Sequence, residues 1–178
     1  MDLYNKGCEN LNGIEYLTKL ETLDCQYNQL TSLDVSNCSN LEELYCGENQ
    51  LTSLNLSDCS NLEYLWCGYN QLTSLNMSGY SNLKALYCYD SQLTNLNVGN
   101  CMNLHELLCW RNQLTDLNIN GCSSLRRLEY SSNQLKNLDI SNCSNLKQLN
   151  CTKNSMKTPA DVKGAAKEFD GEKFVFYP

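Results

Sequence analysis

A 21-residue period constrains this chain more than any other feature. Cysteines fall at Cys25, Cys46, Cys67, Cys88 and Cys109, give way to Tyr130, and return at Cys151. Asparagines fall at Asn28, Asn49 and Asn70, give way to Ser91, and return at Asn112, Asn133 and Asn154. Leucines at 20, 41, 62, 83, 104, 125 and 146 open the copies. The unit reads L-x-x-L-x-C-x-x-N-Q-L-T-x-L-x-φ-x-x-C-x-N, with φ aliphatic, and no insertion or deletion breaks it from Leu20 to Asn154.

A unit this short cannot bury an apolar face alone, but stacked units share a core. In "LEYLWC" (62–67), Leu62, Leu65 and Cys67 face one way and Tyr64 and Trp66 the other, the period of a strand. "SLNMS" (74–78) repeats the alternation with Leu75 and Met77 inward. Each copy is therefore expected to hold a strand, a turn at Asn-Gln and a second extended segment, with neighbours ~4.8 Å apart. The repeated asparagine side chains are expected to bond the backbone of that turn.

The pattern L-x-x-L-x-C-x-x-N-x-L resembles the leucine-rich repeat, with cysteine where leucine often stands. The 21-residue length and the following "LTSLDVS" (30–36) are similar to the internalin-J-type repeats of bacterial surface proteins. The resemblance covers roughly residues 20–154, seven copies with the last partial, and departs from the pattern at Tyr80 and Tyr130 in its two cysteine columns. It implies a curved parallel β-solenoid with short strands, a secreted or cell-surface location, and a binding role.

An open solenoid must cover its core at both ends. Residues 1–19 keep apolar spacing at Leu11, Ile14 and Leu17 and read as an irregular first coil. "DLYNK" (2–6) looks like the strand segment "DCQYN" (24–28), so an excised domain, separated from any export signal, is the expectation. Residues 155–178 read as a C-terminal cap: a helix over 159–169, with Thr158 to cap it and Pro159 in its first turn, then a strand over 173–177.

The net charge of −7 argues against nucleic acid as a partner. No apolar run is long enough to cross a membrane. Charge is uneven: residues 1–89 carry 11 acids and 3 bases, residues 90–178 carry 9 acids and 10 bases. A solvated surface accounts for this more simply than a partner of matching gradient.

Of the twelve cysteines, six form one column, and Cys38, Cys59, Cys101, Cys122 and Cys143 form another. Cysteines in register on parallel strands have near-parallel side chains, which suits the disulfide torsion poorly. Buried, reduced thiols acting as small hydrophobes are expected instead. There is no C-x-x-C pair for zinc. His105 is the only histidine and is expected on the outer side of its strand while Cys109 points inward. No phosphate loop, nucleophile elbow or convergent acid pair appears, so the chain reads as a non-enzyme without cofactor or metal.

Positions that vary between copies are free for recognition. One residue before each first-column position come Asp24, Tyr45, Trp66, Tyr87, Leu108, Glu129 and Asn150. Stacking places Tyr45, Trp66, Tyr87 and Leu108 in one exposed apolar row, and such rows mark binding sites. Tyr64, Tyr69, Tyr89 and Trp110 add aromatics, while Glu43, Glu48, Glu63, Arg111 and Arg127 supply a polar rim. The leading reading is protein recognition or adhesion through a concave aromatic strip. Glycan binding by ring stacking, and a passive spacer in a larger surface protein, are the alternatives. A flat ice-binding lattice from Asn55, Asn76, Asn97 and Asn118 is disfavoured, because the threonine column falls at the turn.

Overall fold

The computed structural model describes residues 1–165 and the backbone strand Lys173–Val175. Parallel strands stack into one long sheet: Thr22–Asp24, Glu43–Tyr45, Tyr64–Trp66, Ala85–Tyr87, Glu106–Leu108, Arg127–Glu129, Gln148–Asn150 and Lys173–Val175. Register advances by 21 residues per coil, as in Leu44↔Leu65 and Leu65↔Leu86, so like positions lie side by side. The sequence expectation of a parallel β-solenoid of 21-residue coils is met. In the first seven strands of this sheet the middle residue points inward, and Leu23, Leu44, Leu65, Leu86, Leu107, Leu128 and Leu149 are buried. Its neighbours point outward because successive side chains of a strand alternate.

A turn follows each strand, and one non-glycine residue per coil adopts a left-handed conformation there: Tyr27, Glu48, Tyr69, Asp90, Arg111, Ser132 and Lys153. That conformation costs roughly 1–2 kcal/mol. The following asparagine holds it in place. Asn49 Nδ2 donates to the carbonyls of Cys25 (2.9 Å), Cys46 (3.1 Å) and Gly47 (3.2 Å), while its Oδ1 accepts from Leu30 N (3.0 Å). Asn70, Asn112 and Asn133 bond the same way, fastening each coil to the one before it. Where Ser91 replaces asparagine the shorter side chain does not reach, and its Oγ is buried without a hydrogen-bond partner.

The cysteine columns are core. Among the described residues the twelve cysteines form no disulfide. In the second column four thiols donate to a carbonyl of the preceding coil: Cys38 to Ile14 (3.5 Å), Cys59 to Val35 (3.2 Å), Cys101 to Met77 (3.0 Å) and Cys122 to Val98 (3.2 Å). Tyr80, which interrupts that column, keeps the bond: its hydroxyl donates to Leu56 O at 2.7 Å. Tyr130 interrupts the first column and is wholly buried.

The second segments pair less continuously. Ser32–Asp34 pairs with Ser53–Asn55, Ser74–Asn76 with Asn95–Asn97, and Leu138–Asp139 with Val162–Lys163. Between Ser53–Asn55 and Ser74–Asn76 the ladder opens into a cavity of about 460 Å³. Tyr80, which stands where the other coils carry cysteine, lines it.

At the N-terminus, Asp2 pairs in parallel with Asp24, so "DLYNK" does take a strand position on the sheet. A single 3-10 turn, Ile14–Tyr16, follows. The helix expected over 159–169 is not formed in its described part. Pro159–Asp161 makes one 3-10 turn, whose Asp161 carboxylate accepts the N–H groups of Lys157 (2.7 Å) and Thr158 (2.9 Å). Val162 is then buried, and its backbone pairs with Leu138. Burying a β-branched residue against an open strand outweighs local helix preference here. Residues 166–169 of that expected helix, and 176–177 of the expected strand, lie outside the described residues.

Candidate functional site

The outward positions of the long sheet form two rows. One runs Thr22, Glu43, Tyr64, Ala85, Glu106, Arg127, Gln148; the other runs Asp24, Tyr45, Trp66, Tyr87, Leu108, Glu129, Asn150. Tyr45, Trp66, Tyr87 and Leu108 are therefore neighbours on consecutive strands. They are half-buried rather than openly exposed. At ~4.8 Å spacing large side chains must lean on one another, so they present edges and part-faces to solvent.

A second aromatic group grows from the turns beside this row. Tyr69 meets Tyr89 edge-on, with centroids 5.4 Å apart, and Tyr89 stacks on Trp110 at 4.4 Å with 4° between the planes. The Arg111 guanidinium lies 5.4 Å from the Trp110 ring and 3.3 Å from the Asp90 carboxylate. Of these aromatics Tyr69 is the exposed one, at 38%. The two groups meet at Trp66. Its indole lies over Gly47 and Gly68: a Cβ on Gly47 would stand 3.0 Å from Trp66 Cε2, and a Cβ on Gly68 would stand 3.2 Å from both Trp66 Nε1 and Tyr89 Cδ2. The glycines make the shelf on which the indole rests. Trp66 Nε1 is buried beside the Tyr89 phenol.

The sequence reading singled out the aromatics but missed Gly47 and Gly68. The signal was present: the position after the first-column cysteine reads Gln26, Gly47, Gly68, Tyr89, Trp110, and its only two glycines fall in the coil of Trp66 and the coil before it.

Polar groups hold the strip. Tyr45 Oη donates to Glu43 (3.3 Å) and Tyr87 Oη to Glu106 (3.1 Å). Burial, with the Glu106 charge adding to it, pushes the Tyr87 phenol up to about 12, so the phenol stays a donor. Arg127 spans Glu129 (2.6 Å) and Glu106 (3.8 Å). Lys84 pairs with Glu63 at 2.5 Å and sits 5.9 Å from the Tyr64 ring. Glu48 occupies the left-handed turn position beside Gly47, half-buried, and its charge reaches the Tyr89 phenol. Twelve of the thirteen residues singled out from the sequence thus lie on the long sheet's outward rows or the turns beside them; Glu63 stands just before its strand.

The thiols are poor nucleophiles. Burial pushes Cys25, Cys59, Cys67 and Cys122 up to about 12, so they stay protonated at neutral pH. Among the described residues no group of three or more His, Cys, Asp and Glu is placed to hold a metal ion, and no helix is long and apolar enough to cross a membrane.

Comparison with known proteins agrees with this geometry. The family described as Leucine Rich repeats (2 copies) matches residues 18–58 and 39–80. The functional domain of InlJ from Listeria monocytogenes, which includes a cysteine ladder, is 29% identical with a TM-score of 0.67, over 89% of this chain and 40% of that one. A leucine-rich-repeat protein of Leptospira interrogans is 25% identical with a TM-score of 0.72, over 84% and 41%. Internalin C2 of Listeria monocytogenes shares the fold at 24% identity and a TM-score of 0.71, over 89% and 73%. This chain therefore spans less than half of the InlJ and Leptospira structures. No curated protein sequence matches it.

Proposed function

We infer that this leucine-rich-repeat protein, internalin-like in its 21-residue coils and cysteine ladder, is a non-catalytic recognition module that binds a protein through the aromatic face of its long sheet. Leucine-rich repeats serve generally as protein-interaction modules. One observation carries the finer reading. Tyr45, Trp66 and Tyr87 in register, joined through the Gly68 shelf to Tyr89 and Trp110, form a continuous aromatic surface already held in place by Glu43, Glu106 and Asp90–Arg111. Rigid aromatics at the centre of a patch, with charged groups around them, make the anchors of tight interfaces. Their ordering is complete before a partner arrives, which lowers the entropic cost of binding. An exported or cell-surface location belongs to the same proposal and rests on the similarity to internalins.

Glycan binding is the second reading. It draws on the flat Tyr89–Trp110 stack. Binding of the domain to a glycan array and to a surface-protein array separates the two, beside a folded Tyr45→Ala, Trp66→Ala, Tyr87→Ala variant. A protein hit lost in the variant supports the reading, and a glycan hit lost in it favours the alternative. A hit that survives the three substitutions moves the site elsewhere. Silence on both arrays leaves a passive spacer as the better account.

A further inference from the structure

The charge asymmetry of the chain is concentrated in one column. The residue just before each strand of the long sheet is Glu21, Glu42 and Glu63 in the first three coils, then Lys84, His105, Arg126 and Lys147 in the next four. Backbone bonds run along it without a break: Glu42 N to Glu21 O, Glu63 N to Glu42 O, and so on to Lys147 N and Arg126 O. Successive side chains therefore stand ~4.8 Å apart. The sign changes once, at the Glu63–Lys84 ion pair. Glu21, Glu42, Arg126 and Lys147 are exposed, and among the described residues none of them joins an ion pair within the chain. The basic end also borders a groove of about 460 Å³ between His105, Arg126, Arg127 and Lys147.

A column with a single sign change is complementary to its own reverse. We propose that this edge of the solenoid docks a second copy of the chain, side by side and antiparallel, about a two-fold axis normal to the long sheet. With the axis between the third and fourth coils, Glu21 opposes Arg126 of the second copy, Glu42 opposes His105, and Glu63 opposes Lys84. No like charges meet. Tyr64, on the adjoining row, falls near the centre from both copies, beside the Glu63 and Lys84 pairs. A two-fold contact must be self-complementary. A foreign partner would need a matching sign reversal of its own; a second copy carries one by construction. Both aromatic faces then open to the same side. The net charge of −7 opposes association at long range, but salt screens that repulsion beyond a Debye length of about 8 Å, while column pairs act at contact.

Sedimentation equilibrium of the chain tests this, with Glu21→Arg and Arg126→Glu as single variants and their equimolar mixture. Both residues are exposed, and circular dichroism confirms that each variant is folded. The chain is expected to dimerise in a concentration-dependent way. Each single reversal is expected to weaken the dimer by roughly 10-fold or more, the scale of opposed like charges. The mixture is expected to restore it, because the two reversed chains meet with opposite signs at both contacts. A chain that stays monomeric overturns the proposal, as does a dimer that ignores both reversals. A dimer weakened by each reversal but not restored in the mixture overturns the antiparallel register. Neither residue belongs to the aromatic surface, so the result is independent of the array experiment.

Discussion

At the scale of single residues, the most informative positions are those where a repeat is interrupted. Asn112 and Asn133 each close three donor bonds and accept one, while Ser91 in the same column leaves a buried hydroxyl unpaired. Ser91→Asn is expected to restore the ladder, taking the carbonyls of Cys67 and Cys88 and accepting from Leu72 N. A stabilisation of about 1–2 kcal/mol follows from the hydrogen bonds gained and the orphan group removed. A higher urea midpoint at unchanged slope would show it; a lower midpoint would mean that the coil there cannot admit the amide. Gly68 gives the complementary case. Gly68→Ala places a methyl 2.9 Å from Tyr89 O and 3.2 Å from Trp66 Nε1, so the carbonyl must shift and the indole is pushed outward on its shelf. Tryptophan emission should shift to the red as Trp66 becomes wetter, with fold retained by circular dichroism. Unchanged emission would show that the shelf does not hold the ring. The aromatics were legible in the sequence as outward strand residues. Their half-burial and the shelf beneath Trp66 were not, because both depend on contacts between coils 21 residues apart.

At the scale of elements, the two faces of the solenoid differ in continuity. The long sheet runs unbroken through its strands, whereas the second segments pair in short groups. Tyr80 stands at one break. It preserves the bond of its column by reaching Leu56 O, and its ring lines the opening there; a second opening, between residues 116–120 and 137–139, has no tyrosine. Tyr80→Cys is expected to let Ser53–Asn55 and Ser74–Asn76 pair. Amide exchange at Leu56 should then slow by about 10-fold or more, as an open amide becomes a ladder donor. Exchange that stays fast would place the cause of the break outside the tyrosine. The C-terminal cap teaches a related lesson. Thr158 and Pro159 read as the start of a helix, but the described chain turns once and then pairs Val162 with Leu138. Local capping signals are genuine there, as the Asp161 bonds show, and an open strand nearby decided what came next.

At the scale of the whole molecule, the buried thiols set the response to alkali. In the unfolded chain a cysteine ionises near 9, whereas Cys25, Cys59, Cys67 and Cys122 are raised to about 12 by burial. Above pH 9 the folded state therefore binds more protons than the unfolded state. Stability is full below pH 9 and is lost as pH rises toward 12, at about 1.4 kcal/mol per pH unit for each thiol concerned. With both columns acting together, urea midpoints at pH 7, 9 and 10 should fall steeply above pH 9. A flat profile would show that the thiols ionise without unfolding the chain.

The sequence by itself determined the coil length, the parallel register and the identity of the core. A period of 21 residues with alternating apolar positions admits one way to bury its leucines and cysteines, by stacking. It also told scaffold from variable surface, because each copy serves as a control for the others. Only the tertiary structure decided how the variable side chains meet. Trp66 rests on glycines of its own coil and the one before, Tyr89 stacks across coils on Trp110, and Glu63 closes an ion pair with Lys84. The physical reason is one of range. Periodicity records the direction in which a side chain leaves the backbone, whereas contact, burial and charge pairing depend on its neighbours in space.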